Sequence, residues 1–157
     1  MLAASSSRGL AYVELPHASG HGFGGFQRRI GAQATRGWSP NRVAIEQIRE
    51  YLAGKRREFD LHLDIRGTEF QRAVWDELCR IPFGVTYSYQ DVARAIGRPS
   101  AVRAVGTANG ANPLPLVVPC HRVVATGGKL GGYGGGLELK RRLLVMERAE
   151  PGAGALL

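Results

Sequence analysis

Pro119-Cys120-His121-Arg122 sets a thiol beside an imidazole, a pair able to do covalent chemistry. A cysteine attacks as the thiolate, and a free thiol titrates near about 8.5, so it needs a base or a positive field at neutral pH. His121 offers the base. Adjacent side chains on an extended backbone point to opposite faces, so direct contact requires a turn here, and a bridging water is the alternative. A histidine base also wants an acceptor on its other nitrogen to orient the ring. Glu147 is the candidate, because it lies four residues beyond Leu143 and seven beyond Lys140, on the inward stripe of a closing helix. A carboxylate in that position needs a partner. Glu138 and Glu150 lie off this stripe and read as solvated. The competing reading of Cys120 is an inert buried thiol beside a chance histidine. Cys79, between Leu78 and Ile81, is expected to pack in the core.

Several elements must position this group. Leu116-Val117-Val118 reads as a buried extended segment that ends at Pro119 and fixes the cysteine backbone. After it come a glycine-rich loop over 127–136 and a helix over Leu137 to Arg148, with a frayed tail from Glu150. Before it, a helix from about Ser88 to Ile96, stopped by Gly97, is followed by another from Pro99-Ser100 to about Asn109. Two short helices joined by a glycine-containing turn have the form of a helix-turn-helix. Thr68 is a plausible N-cap for a helix whose apolar face carries Phe70, Val74, Trp75 and Leu78. Ser39-Pro40 opens a further helix from Asn41 to Leu52, and Phe59, Leu61, Leu63 and Ile65 alternate with polar residues as in a strand or extended linker. Leu10 to Val13 would form one strand, and no clear hairpin opens the chain before it. These readings divide the chain into a small N-terminal unit over 1–66, a second domain over 67–150 and a flexible tail over 151–157.

Composition narrows the setting. The 157 residues are 44% hydrophobic and 22% charged, as in a globular protein. There is no apolar run of the roughly 20 residues that span a bilayer, and Met1 to Ser7 lack the order of a secretory signal. Two cysteines are too few for a disulfide framework, so an intracellular, cytoplasmic protein with free thiols is expected. A formal charge of +8 favours a polyanionic partner, since neutralising phosphates releases counterions. His17 and His21 are read as loop residues, with no metal.

Arg103-Ala104-Val105-Gly106, Asn112-Pro113, Pro119-Cys120-His121-Arg122-Val123-Val124 and Gly131-Gly132-Tyr133-Gly134-Gly135-Gly136 occur in that order. Together, over about Asp64 to Arg148, they resemble the signature of the O6-alkylguanine-DNA alkyltransferases (methylated-DNA–protein-cysteine methyltransferases). The resemblance implies an RNase H-like α/β N-terminal domain, here shortened, and a mainly α C-terminal domain with a winged-helix-like helix-turn-helix. It implies direct reversal of damage in double-stranded DNA: an alkyl group passes irreversibly from O6-alkylguanine, and from O4-alkylthymine, to Cys120. It makes His121 a base acting through a water, Glu147 the third member, and Asn112 the hinge between the active-site turn and the recognition helix. Tyr89 would donate its hydroxyl to guanine N3, and Val123, Tyr133, Gly134, Gly135 and Lys140 would form the pocket for a flipped base. Arg103 would enter the stack from the minor groove, with Ala101, Ala104, Thr107, Ala108 and Asn109 facing the DNA. Gly134 stands where relatives often carry a side chain such as serine. No cofactor is implied, and the protein would act as a monomer.

A thioether on Cys120 offers water neither a carbonyl nor a good leaving group, so each chain should react once. The alternatives are a lesion-recognising helix-turn-helix protein without chemistry, a regulator, and a cysteine hydrolase. The first lacks an acceptor cysteine, whereas this motif is intact. The other two leave either the Cys-His-Glu set or the DNA-binding helices without a role.

Overall fold

The computed structural model describes residues 1–15, 35, 37–148 and 150–151. It is a mixed α/β structure of small sheets and short helices. The chain opens with an antiparallel hairpin, β1 (Leu2–Ser6) and β2 (Gly9–Glu14), pairing Leu2 with Glu14 and Ser6 with Gly9. This hairpin corrects the expectation that none precedes Leu10. Leu-Ala-Ala-Ser-Ser holds one large apolar residue, so the strand owes its existence to pairing with β2 rather than to its own alternation.

The expected extended linker lies along β2. Leu10 N–H donates to His62 C=O at 2.8 Å, and Asp64 N–H donates to Leu10 C=O at 2.8 Å. Gly9 is required where the two backbones meet: its φ is +145°, and a Cβ would stand 2.3 Å from the His62 carbonyl oxygen. Asp64 fastens the junction by accepting from Ser6, Arg8 and Arg66 at 2.8, 2.6 and 2.8 Å. The hydrogen bonds from Arg66 and Ser6 hold its carboxyl at about 2.

Helix α1 (Arg42–Leu52) follows a 3₁₀ turn at Ser39–Asn41 and buries Ala44, Gln47, Ile48 and Tyr51, leaving Val43 and Leu52 outside. Helix α2 (Glu69–Arg80) starts as expected at Thr68, whose hydroxyl accepts from Gln71 N–H in a capping box. Val74, Trp75 and Leu78 face the core, and Cys79, one residue around the helix from Leu78, is exposed rather than packed.

Strand β3 (Val85–Ser88) lies between β4 (Val123–Val124) and β5 (Glu150–Pro151), parallel to both. Glu150–Pro151 is therefore paired rather than frayed. Helices α3 (Tyr89–Ala95), capped by Ser88 and Asp91, and α4 (Val102–Gly110) form the expected pair. The 116–118 run is not an extended strand. Leu116 has φ +76°, and Val118 N–H turns back to Leu114 C=O at 2.8 Å. Pro115 and Pro119 carry no N–H for a ladder, so these buried residues fold into a turn. Helix α5 (Leu137–Glu147) is the last helix of the described residues, with Lys140, Leu143 and Glu147 inward. Among the described residues no helix is long and apolar enough to cross a membrane.

Candidate active site

The backbone does turn at Cys120 and His121. Cys120–Arg122 forms one turn of 3₁₀ helix immediately before β4, fixed by Cys120 N–H to Val118 C=O at 2.8 Å and Arg122 N–H to Pro119 C=O at 2.9 Å. Asn112 holds the approach: its amide donates to Val118 C=O at 2.8 Å, and its oxygen accepts from Leu114 N–H at 2.9 Å. Asn109 donates to the Cys120 carbonyl at 3.4 Å. The last turn of α4 and the segment after it thus grip the cysteine turn from both sides.

Cys120 lies on a cleft of about 290 Å³ that Tyr89, Asn112, Tyr133, Gly134 and Gly135 also line. The end of β2 and the residue after it line the cleft too, through Tyr12 to Leu15. Burial pushes the Cys120 thiol up to about 11, although the Asn112 side chain, the Lys140 charge and local N–H groups draw it part of the way back. At rest it is a neutral thiol.

His121 is fully buried. Its Nε2 lies 3.0 Å from the Tyr51 hydroxyl and 3.1 Å from Glu147 Oε1, and its Nδ1 has no hydrogen-bond partner among the described residues. Burial pushes its pKa down against the opposing pull of Glu147, so the imidazole is neutral. Burial alone would raise the Glu147 carboxyl. The hydrogen bonds from His121, Arg122 and Tyr51 outweigh it and hold the group at about 2. Arg122 reaches Glu147 from Nε at 3.0 Å and Nη2 at 2.9 Å and donates from Nη1 to Ile81 C=O at 2.7 Å. A neutral base behind a shielded thiol, itself backed by a fixed carboxylate, can take a proton as the sulfur attacks an electrophilic carbon.

Two residues expected in the pocket stand behind its wall. Lys140 is fully buried, donating to the carbonyls of Val123 at 2.6 Å, of Gly132 at 3.3 Å and of Leu130. Burial lowers its pKa to about 8. It bolts the glycine-rich loop to β4 instead of lining the cleft. Val123, also fully buried, gives its carbonyl to that lysine rather than to a ligand. Tyr89 does line the cleft, at the start of α3. Gly131 packs against it at φ +66°, where a Cβ would come within 3.0 Å of the Tyr89 hydroxyl.

The α4 face expected to meet DNA is narrower than expected. Arg103, Ala104 and Thr107 are exposed and Ala101 is half-buried. Ala108 and Asn109 are turned inward, 2% and 5% exposed, because at this helical spacing they share the Val105 side. The Ala108 carbonyl accepts from Trp75 Nε1 at 2.8 Å. His17 and His21 lie outside the described residues, and among those described no group of His, Cys, Asp or Glu is placed to hold a metal ion.

Sequence reasoning missed Tyr51 and Arg122. Tyr51 sits on the apolar stripe of α1, where a buried phenol needs a polar partner, yet the pattern does not say which. Arg122 stood in the quoted motif, and only the fold turns it onto Glu147.

A family profile described as the DNA-binding domain of 6-O-methylguanine DNA methyltransferase matches residues 69–149. The methylated-DNA–protein-cysteine methyltransferase of Mycolicibacterium paratuberculosis is 55% identical over 116 residues, covering 71% of this chain and 70% of that protein. Among solved structures, Mycobacterium tuberculosis OGT in complex with DNA superposes with a TM-score of 0.82 at 40% identity, over 97% of this chain and 88% of that one. The O6-methylguanine-DNA methyltransferase of Pyrococcus kodakaraensis superposes with a TM-score of 0.55 at 36% identity, over 74% of this chain and 67% of that one. Such identity extends well past the cysteine motif into the surrounding helices, and the chain belongs to the methylated-DNA–protein-cysteine methyltransferase family.

Proposed function

We infer that this protein repairs alkylated DNA by direct reversal, taking the alkyl group from O6 of guanine onto Sγ of Cys120. The observation that carries the reading is a single shielded thiol in a cleft, backed by a neutral histidine whose far nitrogen is tied to a buried carboxylate. In the step proposed, the S–C bond forms in line as the C–O6 bond breaks. The leaving electron pair stays on the purine, where a donated hydrogen bond from Tyr89 to N3 would spread the charge. The thiol proton passes to His121 Nδ1 through one water and from there to solvent, while the guanine anion takes up one proton from solvent at N1. The product thioether is stable, so the protein reacts once and stays alkylated. O4-alkylthymine would follow the same course.

The atom attacked is inaccessible inside a duplex, so the nucleotide must leave the stack, at a cost of a few kcal/mol. Arg103 on the exposed face of α4 is suited to fill the gap. The small side chains of Ala101 and Ala104 allow that face to approach a minor groove closely, and the +8 charge supports binding to phosphates. On this reading α3 and α4 form the helix-turn-helix of a winged-helix-like domain over 67–150. The hairpin and α1 belong to an RNase H-like unit over 1–66, and the protein acts as a cytoplasmic monomer.

The test is intact-protein mass spectrometry after mixing with duplex DNA carrying one O6-methylguanine, followed by peptide mapping. A gain of one CH2 on Cys120, saturating at one per chain, is expected. Tight lesion binding with no mass gain would instead support a recognition protein.

A further inference from the structure

We propose that Tyr51 is a positioning residue of the alkyl-transfer site, whose hydroxyl keeps the His121 proton on Nε2 and so leaves Nδ1 free as the base. The inference rests on the reading of His121 as the base.

A phenol has one hydrogen to donate, and an ionised carboxylate has none. The Tyr51 hydroxyl donates to Glu147 Oε1 at 2.5 Å, and Glu147 is ionised. The same phenol oxygen lies 3.0 Å from His121 Nε2, and Oε1 lies 3.1 Å from it. With its hydrogen committed, the phenol oxygen offers Nε2 only a lone pair, and Oε1 offers another. A bare Nε2 would face two acceptors with no hydrogen among them. The proton therefore belongs on Nε2, and the neutral ring leaves Nδ1 unprotonated. Nδ1 is also the ring nitrogen with no partner among the described residues.

Tyr51 is held for this task. It is fully buried, its ring 5.3 Å from Phe59 and edge-on to Phe83 at 6.4 Å, on a helix anchored in the core by Ile48. The groups facing His121 come from several elements: Tyr51 from α1, Glu147 and Lys140 from α5, Arg122 from its own turn, and the Tyr133 ring at 6.5 Å from the loop. Arg122 and Lys140 disfavour the imidazolium and Glu147 favours it. By drawing on Oε1, the phenol tempers the Glu147 pull, so removing the hydroxyl should raise the His121 pKa. The N-terminal unit thus supplies a working part of the site.

The first experiment is ¹⁵N–¹H NMR of His121 in the full chain, without DNA or alkyl donor. A neutral ring protonated at Nε2 is expected, and a ring protonated at Nδ1 overturns the proposal. The second compares Tyr51→Phe with the parent in single-turnover reaction with free O6-benzylguanine across pH, alongside thermal melts. The expected result is a folded variant about tenfold slower, the loss of one well-placed hydrogen bond, with the acid limb of its pH–rate profile moved to higher pH. An unshifted acid limb overturns the proposal, even if the melting temperature drops, because it leaves Tyr51 a packing role alone. If the variant does not fold, the tautomer in the parent decides. If the parent itself fails to react, the repair reading falls separately, and the tautomer still decides the role of Tyr51 in setting the ring.

Discussion

Arg122 and Glu147, 25 residues apart, meet as a two-pronged ion pair, with Nε 3.0 Å from Oε2 and Nη2 2.9 Å from Oε1. Both side chains are nearly or fully buried. The same Oε1 accepts from Tyr51 and faces His121, so one carboxylate links α1, the cysteine turn and α5. Breaking such a pair strands a charge. Arg122→Met should therefore destabilise the fold by about 3 kcal/mol, beyond the change expected for lost packing at a surface arginine. Denaturant unfolding followed by tryptophan fluorescence measures it, and a change under about 1 kcal/mol would mean that Glu147 finds other partners.

The pH dependence of stability follows from two carboxylates. Glu147 and Asp64 are both held at about 2, below the ordinary carboxylate range, so each binds protons more weakly folded than unfolded. Their contribution is fully present above about pH 5 and is lost as pH falls through about 4 toward 2. Melting temperature against pH should fall across that window. Asp64→Asn should flatten part of the fall, since the Ser6 and Arg66 contacts no longer depend on ionisation.

Chemistry and binding should separate at Cys120. A serine there keeps the cleft and the α4 face while losing a nucleophile that can lose its proton at this site. Cys120→Ser should give no measurable alkyl transfer yet bind lesion-bearing duplex within about threefold of the parent, by fluorescence anisotropy. Loss of binding together with transfer would show that the thiol also builds the recognition surface.

Arg103 is exposed on α4, three residues before Gly106, which lines the Cys120 cleft. If it holds the duplex open, Arg103→Ala should slow repair of duplex DNA by tenfold or more, the unstacking cost being a few kcal/mol. Reaction with free O6-benzylguanine should stay within about twofold. Equal losses on both substrates would remove the stack-filling role.

Gly134 lines the cleft, and a Cβ built there meets nothing within 4 Å. Gly134→Ser should fold normally, keep methyl transfer and lower benzyl transfer by about tenfold, because the hydroxymethyl group takes space that a bulky alkyl group needs. Unchanged relative rates would show that the larger group lies elsewhere.

By itself the sequence determined the chemistry and the local elements that depend on near neighbours. Thr68 and Ser88 announce their helices, since a cap requires only residues three positions away. The spacing of Lys140, Leu143 and Glu147 announces the inward stripe of α5, whereas Pro119-Cys120-His121 left open a turn or a bridging water, and the chain turns there. Tertiary structure decided what long-range contact creates. Strand β1 exists because β2 pairs with it, and the 116–118 run turns because its bracketing prolines and Asn112 outweigh β-branched propensity. Lys140 withdrew from the pocket because three backbone carbonyls satisfy its buried charge better than a cleft wall would. Tyr51 lies 70 residues from His121, so no pattern of local spacing announces their meeting. Only the packing of α1 against the cysteine turn brings that hydroxyl to the imidazole.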